Sequence, residues 1–157
     1  MYSLFILAIA FIAAPLKITS PAFSDNGMIP DKYTCKGENI NPEIDIQDLP
    51  QDAKTLVLIV DDPDAPDRTF DHWMVWNIPV TTKIAEGSVP GHEGKNSKKE
   101  YKYTGPCPPS GTHHYHFKVF ALNKELDVPK DIDRTELLNA MEPHIIAKGE
   151  LVGLYKK

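Results

Sequence analysis

One segment constrains the fold more than any other, the apolar run Thr55-Leu56-Val57-Leu58-Ile59-Val60-Asp61. Side chains alternate across a strand, and here both sets of alternate positions are apolar, so neither face of the strand suits water. We therefore predict a central strand in a sheet that is covered on both sides. A chain of 157 residues is long enough to build one such domain around a substantial core.

The other strong segments also predict strands. Residues 71–78 are rich in aromatic and β-forming residues, and shorter strands are expected near 16–19 and 150–155. Simple alternation places His72 on the same face as Met74, Trp76 and Ile78. Residues 113–122 have a mostly apolar set of alternate positions, which we expect to face inward: His113, Tyr115, Phe117, Val119 and Ala121.

One helix is predicted after residue 133. Asp133 and Glu136 have the spacing of a capping box, with Asp133 as the N-cap. The apolar stripe consists of Leu137, Leu138 and Met141, and Pro143 should kink or end the helix because its ring removes a backbone donor. Together these segments predict a mostly β protein with a few short helices.

Charge and composition exclude some functions. The net charge is −5, and broad nucleic-acid binding needs a basic face, so we predict no nucleic-acid partner. Lysines gather at residues 95–102, but glutamates lie among them, which favours a solvated loop over a binding patch. Neither a C-x-x-C spacing nor a calcium-loop pattern occurs, so we predict no metal and no other cofactor.

The N-terminal residues 4–14 form an uninterrupted apolar run. It is shorter than the roughly 20 residues that a membrane span requires, so we predict no integral span. The run fits the apolar region of a signal peptide, although no Lys or Arg precedes it. We predict residues 1–14 as a signal peptide of an exported protein and residues 15–157 as its single domain. The alternative is a cytoplasmic protein whose first strand is this apolar run.

Two cysteines, Cys35 and Cys107, lie in segments that contain glycine or proline. A disulfide requires their Cα atoms to lie within about 7 Å of each other, and the sequence does not reveal that distance. The sequence leaves a disulfide open, with two free thiols as the favoured interpretation.

An acidic, proline-bearing loop, Asp62-Pro63-Asp64-Ala65-Pro66, follows the central strand directly. We expect Asp64 to bond its own backbone in an Asx-turn. Asp62 should be partly buried at the end of the sheet, where a carboxylate without a partner costs several kcal/mol. His72 is the partner that we predict for it.

A second proline-rich loop, Gly-Pro-Cys-Pro-Pro-Ser-Gly-Thr-His-His-Tyr at residues 105–115, leads into the strand at 113–122. Backbone N–H groups beside imidazoles suit recognition of phosphate or carboxylate. Strand histidines are more often structural than ligand-binding, and we apply that interpretation to His114 and His116 but not to the inward His113. We predict that the two loops form the walls of one small pocket for a compact anion.

Three motifs occur in a specific order and spacing: D-P-D-A-P, a histidine that opens an aromatic strand, and G-P-C-P-P-S-G-T-H-x-Y. Together they resemble the phosphatidylethanolamine-binding protein family, in particular its bacterial Raf-kinase-inhibitor-like branch. The resemblance extends from residue 18 to residue 153. It implies an antiparallel β-sandwich core with a few short peripheral helices and a pocket for phosphate-like headgroups. The positions that match this pocket are Asp62, His72, Cys107 through its backbone N–H, Pro109, His113 and Tyr115.

The resemblance also implies roles for these residues. His72 and His113 would be the main side-chain donors to an anionic oxygen, and Tyr115 would shape the pocket. Asp62 would orient an imidazole or accept from the ammonium of a headgroup. Cys107 departs from the eukaryotic members, which usually have glycine at this position.

Three functions follow as alternatives. The favoured one is non-enzymatic binding of a small phosphorylated or carboxylated ligand, with regulation of an unidentified protein partner as an extension. A second is a kinase- or protease-inhibiting interaction protein that acts through the polar loop 87–99. The least favoured is a hydrolase that uses a metal or a Cys107 thiolate beside His72 or His113. A homodimer is left open.

Overall fold

The computed structural model describes residues 13–157, so nearly all of the predicted signal peptide lies outside the described residues. Helix α1 spans Arg134–Met141, and 3₁₀ turns span Asp31–Tyr33 and Glu142–His144. Strands β1 to β10 span Ala14–Pro15, Lys17–Thr19, Gly27–Met28, Ile44–Gln47, Thr55–Asp62, Phe70–Ile78, Lys83–Ile84, His92–Glu93, Thr112–Leu122 and Ile145–Lys156. No helix in this part of the chain is both long enough and apolar enough to cross a membrane.

The strands form two sheets that pack face to face. Seven strands form the larger sheet, in the order β1-β10-β9-β5-β6-β8 with β3 also beside β10, and β2, β4 and β7 form the smaller one. The pairings are antiparallel except for two short parallel contacts that β10 makes with β1 and β3. Apolar side chains of both sheets share one core. The predicted mostly β fold with few helices is confirmed.

Strand β5 is the central strand that its composition predicts. It lies between β9 and β6, and every one of its residues is buried. Leu56, Leu58 and Val60 pack toward the smaller sheet, on what we call the sandwich face. Val57 and Ile59 pack toward α1, on what we call the helix face.

Helix α1 covers part of the helix face and begins at the predicted capping box. The Glu136 N–H donates to the Asp133 carboxylate at 2.8 Å, and the Asp133 N–H donates to the Glu136 carboxylate at 3.0 Å. Leu137 and Met141 are fully buried against the sheet. Pro143 lies in the 3₁₀ turn that follows the helix, so both predicted ends are confirmed.

Strand β6 contains a β-bulge at His72. Val60 of β5 pairs with Trp73, but the next residue, Asp61, pairs with Asp71. Strand β6 therefore uses one residue more than β5 over this interval, and His72 is the extra residue.

The bulge decides which face His72 occupies. Trp73 packs on the sandwich face and Met74 on the helix face, so unbroken alternation would place His72 on the helix face. Instead its ring lies on the sandwich side, 5.2 Å between centroids from Tyr115. The prediction that His72 shares a face with Met74, Trp76 and Ile78 is wrong for Met74 and Trp76, because alternation alone carries no information about a bulge. Ile78 does pack on the sandwich face, since β6 has a second register shift between the Leu58–Val75 and Leu56–Ile78 pairs.

Candidate functional site

A small cavity of about 180 Å³ lies where the ends of β5, β6 and β9 meet. The acidic loop and the proline-rich loop form its walls, as predicted. Its volume is below the roughly 300–1,000 Å³ of pockets for drug-sized ligands, so it suits a compact group. The structure brings all six predicted residues to this cavity: Asp62, His72, Cys107, Pro109, His113 and Tyr115.

Asp62 pairs with His113 rather than with His72. The two side chains are almost fully buried, and His113 Nδ1 lies 2.7 Å from Asp62 Oδ2. A carboxylate accepts only, so Nδ1 carries the proton and Nε2 is the ring nitrogen left for another partner. The predicted Asp62–His72 pair is wrong because the bulge directs the His72 ring toward a different acceptor.

His72 donates to a backbone carbonyl. Its Nδ1 lies 2.6 Å from the Thr104 carbonyl oxygen, so Nδ1 carries the proton here too and Nε2 is left free. Burial lowers the pKa of His72, and the Thr104 carbonyl and the Asp62 charge only partly oppose this effect. His72 is therefore a neutral imidazole at neutral pH unless a bound anion stabilises its protonated form.

Asp64 joins the two walls of the cavity. Its Oδ2 accepts from the His114 backbone N–H at 2.8 Å and from His114 Nδ1 at 2.6 Å, and these bonds lower the pKa of Asp64. The Asx-turn belongs to Asp62 instead, because Asp62 Oδ1 accepts from the Asp64 N–H at 2.8 Å. The prediction that Asp64 bonds its own backbone is wrong.

Tyr115 lies beside both imidazoles with unused hydrogen-bonding capacity. Its hydroxyl is buried and has no hydrogen-bond partner within residues 13–157. Burial, and then the Asp62 charge, raise the pKa of Tyr115; the Cys107 backbone N–H opposes this effect without reaching hydrogen-bond geometry. Tyr115 is therefore a neutral phenol at every physiological pH.

A disulfide between Cys107 and Cys35 holds the proline-rich wall. Their Cα atoms are 5.5 Å apart, so the favoured interpretation of two free thiols is wrong. Gly105 shows how closely the proline-rich loop packs on the segment before Cys35: a Cβ at this position would clash with the Tyr33 carbonyl oxygen. In the disulfide-bonded chain Cys107 has no thiol, so the thiolate nucleophile of the hydrolase alternative is not available.

Sequence reasoning missed several residues at the cavity, above all Lys98. The sequence interpretation placed Lys98 in a solvated loop, yet it lines the cavity and its charge contributes to lowering the pKa of His72. Phe70 packs on the His72 ring with 4.8 Å between centroids. The lysine cluster at 95–102 was the signal for Lys98, but spacing could not show which lysine faces the cavity.

A metal ion finds no prepared site in residues 13–157, where no three His, Cys, Asp or Glu side chains are grouped for coordination. A larger cavity of about 700 Å³ lies on the helix face beside Asp71 and Arg134. Those two side chains pair with each other, and Arg68, Lys95 and Lys99 also line this cavity.

Comparison with known sequences identifies the family. The sequence profile of the phosphatidylethanolamine-binding protein family matches residues 19–156. The chain belongs to the phosphatidylethanolamine-binding protein family. A UPF0098 protein of Pyrococcus horikoshii is 50% identical over 153 residues, covering 90% of this chain and 77% of that protein. A UPF0098 protein of Methanothermobacter thermautotrophicus is 40% identical over 150 residues, covering 90% and 99%.

Solved structures of this family share the fold. A phosphatidylethanolamine-binding protein homologue from Chlamydia trachomatis, CT736, superposes with a TM-score of 0.87 at 41% identity, covering 92% of this chain and 99% of that one. E. coli YbcL, described as a member of the mammalian family, superposes with a TM-score of 0.82 at 26% identity, covering 90% and 98%. Membership of the phosphatidylethanolamine-binding protein family supports ligand binding in general.

Proposed function

We propose that this protein binds a small phosphorylated or carboxylated anion, such as phosphate or a phospholipid headgroup, in the cavity between the acidic and proline-rich loops. One observation carries the proposal. The buried imidazoles of His72 and His113 each donate from Nδ1 to an internal acceptor, which leaves two Nε2 atoms at one small cavity. Lys98 adds a positive charge at the same place.

The chemistry of the cavity favours an anion with hydrogen-bonding oxygens. An imidazole that gains a proton at Nε2 becomes a charge-assisted donor to phosphate or carboxylate. Asp62, fixed on His113, compensates part of the added charge and orients that ring. The Tyr115 hydroxyl offers a further neutral donor. None of these groups forms a nucleophile–base pair, so binding without turnover is the function that we propose.

Isothermal titration calorimetry with phosphate and with phosphoethanolamine tests this proposal. We expect both to release heat on binding to the wild type, and His72→Ala to abolish most of it. His144→Ala is the matched control, since it removes an imidazole that does not line the cavity. Equal binding by His72→Ala and the wild type would overturn the assignment. Tighter binding of phosphoethanolamine than of phosphate would identify a headgroup as the preferred ligand.

We also propose that the protein is exported. The apolar run at residues 4–14 and the Cys35–Cys107 disulfide support this proposal, since disulfides persist in oxidising compartments. Sequencing the N-terminus of the mature protein tests this proposal: cleavage after the apolar run supports export, and an intact Met1 contradicts it.

A further inference from the structure

Arg134, the first residue of α1, bridges two carboxylates on neighbouring strands of the helix face. Its Nη2 lies 2.6 Å from Asp61 Oδ2, and its Nη1 donates to Asp71 Oδ1. The Asp61 side chain is fully buried, and those of Asp71 and Arg134 are mostly buried. The planar guanidinium has donors on both sides, so it can hold two carboxylates at once.

The two carboxylates become neighbours only because of the bulge. In the observed register Asp61 pairs with Asp71. If β6 continued from the Val60–Trp73 pair without a bulge, Asp61 would pair with His72. Asp71 would then point toward the cavity and His72 toward α1. The two-sided contact of Arg134 is therefore available in the bulged register and lost in the regular one.

The backbone around the bulge has its own partners in the segment 96–104. The Asp71 N–H donates to Ser97 Oγ at 2.8 Å, and the Ser97 N–H donates to the Asp71 carbonyl at 2.9 Å. The Thr104 N–H donates to the His72 carbonyl at 3.0 Å. These bonds satisfy backbone groups that a bulge removes from the strand ladder, but they do not compensate the two acidic side chains.

We propose that Arg134 is a positioning residue for the anion cavity: by bridging Asp61 and Asp71 it selects the strand register that turns His72 into the cavity. This inference rests on the proposed function only for its effect on binding. Without Arg134, two adjacent carboxylates would repel each other on the helix face: Lys118 contacts Asp61 alone, and Arg68 acts on Asp71 through its charge without an ion-pair contact. The bulged register would then lose its free-energy advantage over the regular register.

Arg134→Met tests the proposal, because it keeps most of the length of the side chain and removes both contacts. We expect the affinity for inorganic phosphate, measured by calorimetry, to fall at least tenfold. Lys118→Met is the matched control: it removes the other cation on Asp61, whose Nζ lies 2.8 Å from Asp61 Oδ2, and leaves the bridge intact. Its affinity should stay within twofold of the wild type. Arg134→Lys, which reaches one carboxylate at a time, should give an intermediate affinity.

NMR of the His72 ring gives a readout that a general loss of stability would not move. In the folded Arg134→Met protein we expect the ring to lose its contact with Tyr115 and its lowered pKa, whereas Lys118→Met should keep both. An unchanged His72 ring in folded Arg134→Met would overturn the proposal, and so would phosphate affinity within twofold of the wild type. If Arg134→Met does not fold, Arg134→Gln, which also removes the guanidinium charge and leaves both carboxylates in place, is measured instead with the same expectations and the same contradicting results.

The two proposals fail separately in this experiment. If the wild type binds neither phosphate nor phosphoethanolamine, the proposed function fails. The His72 ring signals of the variants still decide whether Arg134 sets the register.

Discussion

The two faces of the central sheet differ sharply at the ends of β5 and β6, although adjacent residues supply both. On the helix face, Asp61 and Asp71 are held by Arg134, and Asp61 also by Lys118. On the sandwich face, Asp62 and His72 line the cavity. Here His72 and His113 each use Nδ1 in an internal hydrogen bond and leave Nε2 free, whereas Asp62 uses both of its carboxylate oxygens.

This difference means that the helix face supports the fold, whereas the sandwich face is suited to binding a ligand. Charges that compensate one another within the protein gain little from a ligand, because their desolvation is already offset. Imidazoles that are fixed through one nitrogen keep the other in a defined direction, as binding requires. The same pair of strands therefore stabilises the fold on one face and presents donors on the other.

Opening the disulfide should release the cavity wall without touching the helix face, and it has the largest expected effect on stability. Cys35 and Cys107 are 72 residues apart in sequence, and cross-linking a loop of that length stabilises a fold by about 4 kcal/mol on the chain-entropy argument. We expect a Cys35→Ser/Cys107→Ser double variant to lose roughly that amount in urea unfolding and to bind phosphate more weakly. Stability and affinity equal to those of the oxidised wild type would show that packing alone holds the wall.

Asp61→Ala removes the carboxylate that pairs with Arg134 and Lys118 on the helix face. It leaves Arg134 and Lys118 beside an apolar site, and removing one partner of a buried ion pair costs about 3–5 kcal/mol. Both cations are partly exposed, so we expect the free energy of unfolding in urea to fall by about 3 kcal/mol. Asp52→Ala, at an exposed carboxylate, is the control and should change stability little. A loss as small as that of the control would contradict the structural role of the helix face.

Asp62→Asn makes the corresponding change on the sandwich face. The amide oxygen can still accept from His113, so the loss of stability should be only about 1–2 kcal/mol, clearly below that of Asp61→Ala. Removing the Asp62 charge also removes one cause that raises the pKa of His72. We therefore expect that pKa to fall further in an NMR titration. A rise would mean that Asp62 does not act on His72 as described.

The smallest effect that we expect is the pH dependence of sulfate binding, which tests whether His72 gains a proton when an anion binds. The pKa of His72 is lowered in the folded protein, whereas in the unfolded chain it is about 6.5. Between these two pKa values the unfolded state binds more protons than the folded state. The contribution of the neutral His72 ring to stability is therefore present above about pH 6.5 and is lost as pH falls toward the pKa of the folded state.

Sulfate should reverse part of this loss, because it favours the protonated ring. Its own charge does not change over this range, so we expect its affinity in calorimetry to rise as pH falls below about 7. His72→Ala should show a flatter pH profile. An affinity that is independent of pH in the wild type would exclude His72 as the proton acceptor in binding.

Much of the fold could be predicted from local patterns. The sequence predicts β5 from its two apolar faces, β9 from its inward alternate positions and α1 from its capping box. These predictions succeed because each signal depends only on neighbours in sequence. The six cavity residues were predicted through motif resemblance, and the structure brings them together. The location of the protein and the natural ligand remain predictions.

The errors share a physical origin. His72 was assigned to the wrong face, Asp62 to the wrong partner and the cysteines to the wrong state, and each depends on segments distant in sequence. A bulge is a property of two strands in register, and the Cys35–Cys107 distance is a property of two loops packed together. Arg134 belongs to the predicted start of the helix, but nothing in its surroundings in the chain points to Asp61 or Asp71.

The sequence by itself determined which segments pair into a sheet, where the helix starts and which two loops carry the polar chemistry, because hydrophobic periodicity, capping and proline restrict the backbone locally. Only the tertiary structure decided that an extra residue in β6 turns His72 into the cavity, that Asp62 fixes His113 and that a disulfide closes the wall. Those outcomes follow from strand register and from charge compensation across the sheet, and both are settled only when distant parts of the chain come into contact.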